Sequence, residues 1–71
     1  MNEKGKVEEF NGFYGIIKSD DGKHYLLLKE EIMKEFKNSI NKQDSVSFKS
    51  EIYKNSEIEQ YIARFVKKRS K

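Results

Sequence analysis

The sequence predicts an all-β fold: five short strands closed into a small antiparallel barrel, with a helical or irregular crossing between the third and fourth. Three observations predict it. Short runs rich in β-branched and aromatic residues are separated by turn-forming clusters. One stretch alone, from Leu28 to Ile40, carries helical spacing. The chain has 71 residues and no cysteine, so a small core must stand without disulfides, and a closed sheet protects its own edges.

Lys6–Phe10 reads as the first strand, and Asn11-Gly12 ends it. Phe13–Ser19 and Lys23–Leu28 follow as a hairpin around Asp20-Asp21-Gly22, where Asp21-Gly22 tolerates the positive φ of a tight turn. Leu28, Ile32, Phe36 and Ile40 recur every four residues among glutamates and lysines, so Glu30–Lys37 is a candidate short helix. No good N-cap precedes it, and Asn38-Ser39 ends it early. Val46–Tyr53 alternates, with Val46, Phe48 and Ile52 on the apolar side. After the turn cluster Lys54–Glu57, Ile58–Val66 is apolar on both faces: Ile62 and Val66 on one, Tyr61, Ala63 and Phe65 on the other. Three strands, a crossing and two strands is the order of the five-stranded OB barrel. Residues 1–71 are expected to form this one domain, with residues 67–71 as a basic tail.

Composition narrows the function classes. Without cysteine and with His24 as the one histidine, neither a thiolate or histidine metal site nor a Ser-His-Asp triad is expected. Adjacent acids such as Asp20-Asp21 and Glu30-Glu31 have no chemical partner beside them and read as solvated surface, so no enzyme, metal or cofactor is predicted. No apolar run reaches the roughly 20 residues that span a bilayer, and the first residues carry no signal-peptide core, so a soluble cytoplasmic protein is expected. The net charge of +3 is uneven: residues 1–35 sum to −2 and residues 36–71 to +5. Arg64, Lys67, Lys68, Arg69 and Lys71 give the C-terminal end an electrostatic footprint suited to phosphate, or simply a solvated tail.

Residues 5–17, Gly-Lys-Val-Glu-Glu-Phe-Asn-Gly-Phe-Tyr-Gly-Ile-Ile, resemble the opening of a bacterial cold-shock domain, Gly-Lys-Val-Lys-Trp-Phe-Asn followed by Gly-Phe-Gly-Phe-Ile. The likeness continues through Asp20-Asp21-Gly22, Tyr25–Leu28, Ile32, Asp44–Phe48 and Ala63–Val66, and so covers about residues 4–67. It implies an OB barrel whose inward positions are Val7, Gly15, Ile17, Tyr25, Leu27, Ile32, Val46 and Phe48. It also implies binding of single-stranded nucleic acid, RNA ahead of DNA, by aromatic rings on the outer face of the first three strands. A small ribosome-associated initiation factor is a weaker resemblance, allowed by length and the basic end.

Carried over position by position, the family's stacking face falls on Phe10, Tyr14, Ile16, Leu26 and Leu28, with Lys29 where a last phenylalanine is expected. His24 takes the place of an aspartate at the rim, and Phe36 is the loose counterpart of a loop phenylalanine. Lys6, Lys18 and Lys29 are the backbone-contact candidates, and Arg64 with the tail adds attraction. Glu8 and Glu9 stand where the family has a lysine and its tryptophan. A shift of one residue would put Phe13 in the place of Tyr14 and exchange the faces of that strand. The expected partner is single-stranded RNA or DNA bound by a monomer. A protein partner on the same, partly acidic face is the alternative.

Overall fold

The computed structural model describes residues 2–54 and 57–69. The turn positions Asn55 and Ser56 and the tail residues Ser70 and Lys71 lie outside the described residues. Five strands, β1 (Asn2–Phe10), β2 (Tyr14–Ser19), β3 (His24–Leu28), β4 (Ser45–Lys54) and β5 (Glu59–Lys68), close into a barrel in the order β1-β2-β3-β5-β4. The barrel is OB-like but mixed rather than wholly antiparallel. β3 and β5 run parallel, pairing at Leu26 and Ile62, because the crossing returns the chain before the β4–β5 hairpin sends β5 back alongside β3.

Alternation fixes the core. Val7, Ile17, Tyr25, Leu27, Ile32, Val46 and Phe48 are buried as expected, with Ile40, Ala63 and Val66 completing the cluster. Gly15 is buried too. The hairpin between β2 and β3 closes as a three-residue loop. The Gly22 N–H donates to the Ser19 carbonyl at 2.9 Å, and Gly22 takes φ +91°, which a β-carbon would resist. The Asp21 carboxyl accepts from the Ser19 hydroxyl and from the Lys23 N–H, and these two bonds hold its pKa below the usual value.

The helix expected over Glu30–Lys37 does not form. Two 3-10 turns, Lys29–Glu31 and Lys34–Phe36, stand in its place. No side chain caps either turn, and Met33 is extended between them, with its N–H donating to the Val66 carbonyl at 2.8 Å. The four-residue spacing has a different cause. Ile32 and Ile40 plug the barrel, and Phe36 packs against the core at its end.

Two bulges shift the strands where alternation alone misleads. In β1 the pairing moves from Val7↔Ile17 to Glu9↔Ile16, so Glu8 is the extra residue. In β5 it moves from Lys49↔Arg64 to Ser47↔Lys67, so Phe65 and Val66 both lie opposite Phe48. Ala63 and Val66, three apart, therefore both face inward, and Phe65 is turned out with φ +53°. A left-handed backbone costs a residue with a β-carbon roughly 1–2 kcal/mol. Ile52, which continues the apolar alternation of Val46 and Phe48, is exposed with Tyr53 and Ile58, because β4 and β5 run past the closed part of the barrel.

Tyr25 is 5% exposed and packs its ring 4.9 Å from Phe48 and 5.6 Å from Tyr61, centroid to centroid. Burial, with Glu3 and Asp21 adding to it, raises its phenol pKa. The neutral phenol is thus favoured by folding. Its contribution is complete below the ordinary tyrosine value of about 10 and is lost as pH climbs through the raised value. Urea titrations between about pH 9 and 11.5 should show stability falling in the parent and falling less steeply in Tyr25→Phe.

Candidate functional site

β2 and β3 set out the site by register. Their outward residues pair across the hairpin as Tyr14 with Leu28, Ile16 with Leu26 and Lys18 with His24. The intervening Gly15, Ile17, Tyr25 and Leu27 face the core. Tyr14 therefore holds the outward register, and Phe13 lies in the turn before β2. Asn11 builds that turn: its Oδ1 accepts from the Phe13 N–H at 2.8 Å and the Tyr14 N–H at 2.9 Å.

An open cleft of about 520 Å³ lies on this wall, lined by Phe10, Tyr14, Ile16 and Leu26 together with Glu9 and Lys42. Tyr14 is 59% exposed and so presents its ring to solvent. Phe10 does not stand beside it as an equal. The Glu8 bulge turns Glu9 outward, opposite Ile16, and leaves Phe10 opposite Gly15, half-buried against the core at the edge of the cleft. Gly15, whose backbone runs between Tyr14 and Ile16, is part of the lining as well.

Leu28 is half-buried beside Tyr14 and is not part of the cleft lining. Lys29 lies past Phe10 in an adjoining groove with Lys37 and Asn41. Its ammonium is 5.6 Å from the centre of the Phe13 ring, which is 70% exposed. Lys6, Lys18 and His24 form a separate cross-strand row at the opposite end of the same wall. There His24 Nε2 is 3.2 Å from Glu8 Oε1, so the rim histidine is engaged with an acid. Phe36 is half-buried against the core and is not a free stacking surface. Arg64 is held by Glu31 at 3.1 Å and Glu51 at 2.9 Å, which neutralises the cation expected to add attraction.

Of this surface, Lys42 is not among the candidates read from the sequence, and Phe13 is there only as the alternative to Tyr14 in a shifted register. Phe13 carries a legible signal, an aromatic beside Asn-Gly in a turn, where burial is rare. Lys42 carries none. Its place depends on a turn docked against β1, in which Gln43 N–H donates to the Val7 carbonyl at 2.7 Å and Asn41 N–H to Asp44 Oδ2 at the same distance.

Among the described residues no group of three or more His, Cys, Asp or Glu side chains is placed to hold a metal ion. Nor is any helix among them long and apolar enough to cross a membrane. The chain matches no protein-family model and no curated protein.

Proposed function

We propose that this barrel binds single-stranded nucleic acid, RNA ahead of DNA, without catalysis, as a cytoplasmic cold-shock-like protein of bacterial type. The observation that carries the proposal is the exposed wall on which Tyr14, Ile16 and Leu26 line one cleft, with Lys42 in its lining and Lys18 in the next cross-strand row. Every base has a π face, so a ring open to solvent gains roughly 1–3 kcal/mol per stacked base with little demand on sequence. Ile16 and Leu26 cover a second base by apolar contact. Lys42 and, past Phe10, Lys29 and Lys37 are placed for phosphates. A strand held this way is kept from pairing, which is the work of an RNA chaperone. Glu9 in the lining opposes phosphate and sets affinity below that of a wall with a basic residue there.

Tyr14→Ala should weaken binding to a short oligouridine by about 1 kcal/mol or more, some fivefold, read from amide shifts because the chain has no tryptophan. Unchanged affinity would remove Tyr14 from the interface. The acidic Glu8 and Glu9 beside aliphatic Ile16 and Leu26 favour a second reading, a domain that docks a protein on this face. Absence of shifts at millimolar oligonucleotide supports that reading instead.

A further inference from the structure

The wall on the other side of the barrel carries an aromatic that the proposed function does not use. Phe65 sits at the β5 bulge with φ +53° and is 60% exposed. Local preference argues against a ring here: glycine or asparagine takes this backbone more readily, and an exposed phenylalanine gains nothing from the core. Phe65 and Met33 line a small groove with Lys49 and Lys67. Lys67 lies in one cross-strand row with Ser47 and Lys4, and Lys49 in the next, with Phe65 at the bulge between them. Among the described residues none of these three lysines is in an ion pair, whereas the nearby acids Glu31 and Glu51 are both taken by Arg64.

We infer that Phe65, flanked by Lys4, Lys49 and Lys67, is a second contact for the same single strand, reached after it leaves the Tyr14 cleft. The occupant follows from the chemistry: an open ring among unpaired ammonium groups suits a polyanion that also carries flat faces. Continuity supports one strand for both places. Phe13 and Lys29 border the cleft end of the 3-10 connection, and Met33 borders the Phe65 groove. Lys29 and Met33 are four residues apart, which spans at most about 14 Å. Lys34 is exposed midway along this connection, between the exposed Glu30 and Glu35. The inference rests on the nucleic-acid reading of the cleft and extends it from a patch to a path.

The test compares oligouridines of about four and about sixteen nucleotides, the two ends of the range one OB barrel occupies. Phe65→Asn should not lower the urea midpoint, should leave the short oligonucleotide unaffected, and should weaken the long one about fivefold or more. The double substitution Lys49→Gln and Lys67→Gln should flatten the salt dependence of the long oligonucleotide alone. Long-oligonucleotide affinity unchanged in both variants, with Tyr14→Ala still weakening the short one, overturns the second contact and leaves the cleft standing. A lowered midpoint with both lengths weakened assigns the ring a structural role and overturns it too. If neither length binds the parent, both readings fall together.

Discussion

Gly15→Ala should destabilise the barrel strongly, with the urea midpoint falling by an amount that corresponds to about 3 kcal/mol or more. A β-carbon at Gly15 would overlap the Glu9 carbonyl oxygen and stand 2.8 Å from both the Glu9 carbonyl carbon and the Phe10 Cα. These neighbours are backbone atoms of β1, so no side chain can swing aside, and relief requires parting β1 from β2. Overpacking costs about 1–3 kcal/mol where side chains can shift, and this site falls at or past the upper end. Against a total of roughly 4–10 kcal/mol for a chain of this length, the loss is a large fraction. The cleft would be disturbed with it, since the Gly15 backbone is part of its lining. Ile16→Ala is the control. That residue is 38% exposed and pairs with Leu26 across the hairpin, so removing it should cost about 1 kcal/mol, well short of the Gly15 loss. A Gly15→Ala variant as stable as the parent would show that the β1–β2 seam is not as tight as drawn.

The same seam explains what the sequence discloses and what it conceals. Strands β2 and β3 are legible because each alternates without interruption from Tyr14 to Ser19 and from His24 to Leu28. Period two divides each into two sets, but both sets are apolar, and the choice of Tyr14, Ile16 and Leu26 as the outward trio is what the cold-shock resemblance implies. Strands β1 and β5 are not legible in the same way, because each holds one extra residue. Counting by twos from Val7 puts Glu9 in the core and Phe10 outside. The bulge at Glu8 reverses both, exchanging a buried acid for an exposed one. In β5 the apolar residues on both faces reflect a change of parity between Ala63 and Val66. The spacing from Leu28 to Ile40 mimics a helix because plugging residues at a barrel's end also recur every few positions. Lys42 and the parallel β3–β5 seam depend on long-range docking, which no local pattern encodes.

Salt should decide between the two occupants of the cleft. Each phosphate neutralised on a single strand contributes about −0.7 to the slope of log affinity against log salt. For an oligouridine short enough to stay on the cleft wall, Lys29, Lys37 and Lys42 give a slope near −2, and engagement of Lys6 and Lys18 along the same wall would carry it to about −3.5. Raising salt from about 50 to 200 mM should then weaken oligouridine binding by roughly 20-fold to 100-fold. Substituting Lys29, Lys37 and Lys42 together by glutamine should bring the slope close to −1.4 if Lys6 and Lys18 take part, and close to zero if they do not. Stacking on Tyr14 is insensitive to salt, so Tyr14→Ala should lower affinity at every salt concentration and leave the slope alone. The two variants thus separate the ring's contribution from that of the charges. An affinity that hardly changes over this salt range would mean that the lysines do not meet phosphate. The aliphatic wall with Glu8 and Glu9 would then be a surface for a protein, bound by apolar contact.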